Sequence, residues 1–118
     1  MAVDDETRAE RARNVGSLIL RSARDGDRHH IELLGELDIA GAPRMEEELL
    51  RVESTDAASI VVDLRRLEFI DSSGIRLLVM AADRSSAGDR FTLLRGPAQV
   101  HRVFEVTDLA SRLPFAEG

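Results

Sequence analysis

Val61-Val62-Asp63-Leu64-Arg65-Arg66-Leu67-Glu68-Phe69-Ile70-Asp71-Ser72-Ser73-Gly74-Ile75-Arg76-Leu77-Leu78-Val79-Met80 reads as a buried strand, a short polar join and a helix. Val61, Val62 and Leu64 form a short, β-branched apolar run of the kind that a sheet covers on both faces. The join is Asp71-Ser72-Ser73-Gly74, and Asp and Ser are helix-start residues because their side-chain oxygens accept from otherwise unpaired N–H groups. Beyond it, Ile75, Leu78, Val79 and Ala82 follow the i, i+3, i+4, i+7 spacing of one helical face, which Leu77, Met80 and Ala81 widen. That pattern predicts a largely buried helix. A hydroxyl at its first turn meets unpaired N–H groups and the positive end of the helix dipole, surroundings that tolerate a phosphate.

Working outward toward the N-terminus, Ser17 to Arg21 and His30 to Leu34 are apolar-containing runs on either side of Asp25-Gly26-Asp27, a turn signal that predicts an antiparallel hairpin. Gly35 to Pro43 then leaves the sheet, and Pro43 suits a first helical turn, where its missing N–H does no harm. The helix is expected from about Pro43 to about Val52, with Met45, Leu49 and Val52 facing inward. Its glutamates, Glu46 to Glu48, read as a solvated face rather than a metal site. Toward the C-terminus, Ala87-Gly88-Asp89 stops the central helix and Phe91 to Leu94 is a further strand. Gly96-Pro97 opens a helix with Val100, Val103 and Phe104 on one face, ending near Val106, and Leu113-Pro114-Phe115 suggests a brief last strand. The order β-β-α-β-α-β-α-β predicts an α/β fold with a mixed, mostly parallel sheet and packed helices, since strands separated by helices run parallel through right-handed crossovers.

At 118 residues, with 43% apolar and 32% charged residues, the chain suits one globular domain, expected over 15–118 behind a charged, flexible tail at 1–14. A net charge of −6, 3% aromatic residues and the lack of Trp and Tyr speak against a nucleic-acid partner, which needs cationic surface and stacking platforms. Without cysteine there is no disulfide, thiolate nucleophile or Cys-rich zinc site. No signal-peptide pattern and no run long enough to span a bilayer occur, so the expectation is a cytoplasmic protein without membrane insertion.

Asp71 to Gly74 is the one constellation that suggests chemistry, and helix capping alone accounts for its residue types. A hydrolase would use Ser72 or Ser73 as nucleophile with His29, His30 or His101 as base, although the Gly-x-Ser-x-Gly elbow is missing. No zinc or calcium spacing, Gly-x-Gly-x-x-Gly loop or P-loop is present, so no cofactor is expected.

Gly35-Glu36-Leu37-Asp38 after a strand, then Val61-Val62-Asp63-Leu64 and Phe69-Ile70-Asp71-Ser72-Ser73-Gly74, resembles the STAS domain of bacterial anti-sigma factor antagonists. The likeness runs from about Ser17 to Phe115 and includes the Gly96-Pro97 helix with its exit at Phe104 to Leu109. It implies a protein that is not an enzyme. Its partner would be an anti-sigma factor with serine kinase activity, which phosphorylates the first serine of the motif, here Ser72, and a serine phosphatase would restore it. Asp71, Ser73 and Gly74 are implied as supporting neighbours at the partner contact, with Asp38 as a further contact residue at the same end of the sheet. Unmodified, the chain would hold the anti-sigma factor and free a sigma factor; phosphorylation adds ~1.5 to 2 negative charges to that contact and breaks it. Two other readings stay open: a non-switching STAS scaffold, in a stress-signalling assembly or beside a transporter, and a small serine hydrolase.

Overall fold

The computed structural model describes residues 18–85 and 88–116. The expected tail at 1–14 lies outside them. Strand β1 (Leu18–Asp25) and strand β2 (Arg28–Leu37) form the expected hairpin, with Asp25 opposite Arg28 and Gly26 at φ +63° in the two-residue turn. Helix α1 (Ala42–Glu53) leads to strand β3 (Ser59–Ile70), helix α2 (Ser72–Ser85), strand β4 (Phe91–Leu94) and helix α3 (Ala98–Val106). The sheet order is β1-β2-β3-β4, antiparallel in the first pair and parallel in the other two. The expected last strand contracts to one parallel bridge, Leu93 to Phe115, because Pro114 follows a short 3-10 turn and has no N–H for a ladder.

Register decides the core. Ile31 pairs with Val62 and Val62 with Leu93, which sets one fully buried row across three strands. Ile60 to Leu64 is buried throughout, as a centrally placed strand requires, and then the pattern opens: Arg65, Arg66, Glu68 and Phe69 are exposed while Leu67 and Ile70 stay inside. Two register shifts mark that change, between Glu32 and Leu34 and between Gly35 and Glu36, the second beside Gly35 at φ +88°.

Helix α1 buries Met45, Leu49 and Val52 as its spacing predicts. Helix α2 is rotated from expectation: Gly74, Leu78, Ala81 and Ser85 form its buried stripe, flanked by Ile75 and Leu77, while Val79 and Ala82 are half-buried and Met80 is exposed. The rotation follows from Gly74, where an added Cβ would stand 2.8 Å from the side chains of Ile70 and Leu37 and 2.9 Å from Leu37 O. The helix therefore meets the sheet at its first turn. Glu53 and Arg84 then clasp α1 to α2 through two bonds of 2.7 and 2.9 Å. Past the helix, the left-handed residue is Asp89 (φ +52°) rather than Gly88, with its N–H donating to Ser85 O at 3.0 Å.

Candidate functional site

Strands β2 and β3 run parallel, so their C-terminal ends deliver the β2–α1 loop and the start of α2 to the same edge of the domain. The two segments are stitched together there. Asp71 N–H donates to Leu37 O at 3.2 Å, and Ile39 N–H donates to Asp71 Oδ2 at 3.2 Å. The other oxygen of the same carboxylate, Oδ1, accepts from Ser73 N–H (3.0 Å), Gly74 N–H (3.2 Å) and Ser73 Oγ (2.6 Å). Asp71 is thus the N-cap of α2 and the tie to its neighbouring loop. Burial raises the carboxyl's affinity for a proton, but bonds from the Ser73 hydroxyl and the Gly74, Ser73 and Ile39 amides outweigh it and hold the group below the usual carboxylate range.

This arrangement sorts the two serines. Ser73 is half-buried, with its hydroxyl donated to Asp71. Ser72 is exposed at the first helical position, and among the described residues nothing hydrogen-bonds its hydroxyl. The next two backbone donors of the helix, Ser73 N–H and Gly74 N–H, are taken by Asp71, and the Ser72 side chain stands exposed to solvent.

Asp38 arrives close by, as expected, but its carboxylate faces its own loop: Oδ1 accepts from Ala40 N–H at 3.1 Å and Gly41 N–H at 3.2 Å. Its carbonyl accepts from Gly41 and Ala42, starting α1. Asp38 therefore shapes the loop that presents Ile39. Sequence reasoning missed Ile39, 76% exposed beside the Asp71 cap. An apolar residue between Asp38 and Ala40 in a non-strand segment was the available signal. Arg76 is exposed one helical turn after Ser72, at i+4 spacing.

The three histidines lie elsewhere. His29 Nε2 is 2.6 Å from Ser22 Oγ, His30 Nε2 is 3.0 Å from Asp63 Oδ2, and His101 packs edge-on against Phe115 with centroids 4.9 Å apart. His30 pairs with Val61 on β3, and Ile70 closes that strand, so about 30 Å of strand separates His30 from the α2 start at 3.3 Å per residue. Ser72 has no imidazole base. Among the described residues no group of three or more acidic or histidine side chains is placed to hold a metal ion, and no helix is long and apolar enough to cross a membrane.

A family profile described as "Mlab, STAS domain" matches residues 20–114. The chain belongs to the STAS-domain family. Its relatives include the anti-sigma-B factor antagonist of Staphylococcus aureus strain NCTC 8325 / PS 47, 28% identical over 91 residues that cover 76% of this chain and 84% of that protein. An anti-sigma factor antagonist from Mycobacterium paratuberculosis superposes with a TM-score of 0.76 at 24% identity, covering 86% of this chain and 87% of that one. The Bacillus cell fate determinant SpoIIAA matches in its unphosphorylated form (TM-score 0.69, 24% identity, 84% of this chain and 89% of that one). Its phosphorylated form also matches (TM-score 0.63, 22% identity, 84% and 92%). These likenesses establish this STAS domain's four-stranded sheet and helices as the shared fold.

Proposed function

We propose that this STAS domain is an anti-sigma factor antagonist that binds an anti-sigma factor with serine kinase activity while Ser72 is unmodified, and loses it when Ser72 is phosphorylated. The observation that carries the reading is the sorting of the serines: Ser72 is exposed and unbonded where Ser73 is held at 2.6 Å by Asp71. The relatives named as antagonists, and one structural neighbour known with and without phosphate, support it. Asp71, Ser73 and Gly74 form the rigid base of the contact, and Asp38 sets the neighbouring loop. The protein performs no catalysis in this scheme; the kinase adds the phosphate and a serine phosphatase removes it. The scheme requires the cytoplasm, where sigma factors act.

The release step is electrostatic and steric. A phosphoserine brings about −1.5 to −2 charge and its hydration shell into a surface that must be stripped of water to bind. An unpaired, desolvated charge at an interface costs ~2 to 5 kcal/mol, one to several decades of affinity. Removing the phosphate restores the uncharged hydroxyl.

Pull-downs from native-cell lysate with wild-type, Ser72→Ala and Ser72→Asp baits test the reading. Retention of an ATP-binding anti-sigma factor by Ser72→Ala and its loss by Ser72→Asp is the expected result. Equal retention by all three baits would make the chain a constitutive scaffold with Ser72 as an ordinary helix residue.

A further inference from the structure

We propose that Arg76 is the residue that receives the phosphate of a Ser72-modified chain and turns it along the outer face of α2. This rests on the reading of Ser72 as the modified residue and adds the group that holds the modification. The receptors that follow Ser72 at the helix start are already engaged. Asp71 Oδ1 occupies the N–H groups of Ser73 and Gly74, and the Asp71 carbonyl accepts from Ile75 N–H at 3.1 Å. A phosphoryl group on Ser72 finds no free backbone donor among Ser73, Gly74 and Ile75 without displacing the cap.

The charged neighbours repel it. Asp71 is kept ionised by its hydrogen bonds, Asp38 lies in the loop that Ile39 ties to Asp71, and Glu36 and Glu68 lie near the ends of β2 and β3. Arg76 is the exception. It is the one cation in the first two turns of α2, it is exposed, and among the described residues no acceptor or carboxylate engages it. Other arginines of the two packed helices are committed: Arg44 donates to Leu18 O at 2.9 Å, Arg51 to Glu48 and Arg84 to Glu53.

Geometry favours the approach. Residues four apart on a helix have Cβ atoms about 5 to 6 Å from each other, and side chains lean toward the helix N-terminus, so Arg76 leans back toward Ser72. Its planar guanidinium presents paired donors that match two phosphate oxygens. The consequence for the surface is twofold. Modification adds negative charge at Ser72 and at the same time withdraws the one positive charge that α2 offers beside it, so both changes fall on the same partner-facing helix.

Phosphoserine placed at position 72 during translation makes the test independent of any kinase. The 31P chemical shift is followed against pH for the phosphorylated wild type, Arg76→Gln and Arg76→Lys. With Arg76 on the phosphate, the second ionisation of the wild type falls about 0.3 to 1 pH unit below that of Arg76→Gln, with Arg76→Lys between them and the gap narrowing in high salt. Coincident titration curves for wild type and Arg76→Gln overturn the proposal. The two readings also fail separately. A shifted phosphate in a chain that still binds its partner like the unmodified form keeps Arg76 and removes the switch. An unshifted phosphate in a chain that has lost its partner keeps the switch and removes Arg76.

Discussion

Two aspartates of β3, one inside the strand and one just past its end, use the same carboxylate for opposite purposes. Asp63 is 1% exposed and draws in the Arg65 guanidinium, which donates from Nε at 3.0 Å and Nη2 at 2.8 Å, together with the Arg65 backbone N–H at 3.0 Å, while His30 Nε2 lies 3.0 Å away. Burial pushes its carboxyl up, but the bonds from Arg65 and His30 prevail and hold it at about 2. Asp71 gathers backbone N–H groups and one hydroxyl instead. The first arrangement closes a charge into the sheet where its register slips. The second uses up the helix's polar end, and so leaves the next serine available. A carboxylate's partners, more than its identity, decide whether it stabilises a core or frames a site.

The contrast can be tested from the largest effect down. Gly74→Ala strikes the packing beneath the site, since its Cβ would overlap Ile70, Leu37 and a backbone oxygen that cannot swing aside. A loss of about 3 kcal/mol in urea unfolding is expected, and a cost under about 1 kcal/mol would mean the α2 start is softer than the contacts imply. Asp63→Asn should cost about 2 kcal/mol at neutral pH by removing charge-assisted bonds. The sign of its pH dependence is set by a folded-state value below the ordinary 3.8: the stabilisation is present above about pH 4 and disappears as pH falls toward about 2. Acid unfolding of Asp63→Asn should therefore show a flatter limb across that window; an unchanged limb would assign acid sensitivity to other groups.

Asp71→Ala removes an N-cap and is expected to cost about 1 kcal/mol. If it matched or exceeded Asp63→Asn, the division between core and site carboxylates would collapse. Smallest of all, Ser72→Ala should stay within about 0.5 kcal/mol of wild type, because an exposed hydroxyl without a partner contributes little to the fold. Thermal unfolding of that variant sharpens the functional reading: a neutral Ser72→Ala attributes any change in partner binding to the surface itself.

Local chemistry made much of this legible. The Asp25-Gly26-Asp27 turn, the Met45, Leu49, Val52 face and the Phe91 to Leu94 strand follow from backbone preference and spacing over a few residues, and the structure reproduces them. The exposed Met80 was not legible, because periodicity defines a helical stripe only to within about a residue, and packing at Gly74 chose the orientation. Nor was the Asp63 cluster, whose members His30 and Asp63 are 33 residues apart and meet only through strand pairing.

For the site, the amino-acid order determined that an Asp-Ser-Ser-Gly join would start a helix, and with it that a serine hydroxyl would stand at that helix's first turn. Which serine is free was decided in three dimensions. One carboxylate oxygen can accept from Ser73 and Gly74 only once the helix curls back over Asp71, and the other finds Ile39 only because two parallel strands end side by side. The first is a local cap closed within three residues, whereas the second is a long-range placement, and a hydrogen bond that depends on it has no signature in neighbouring residues.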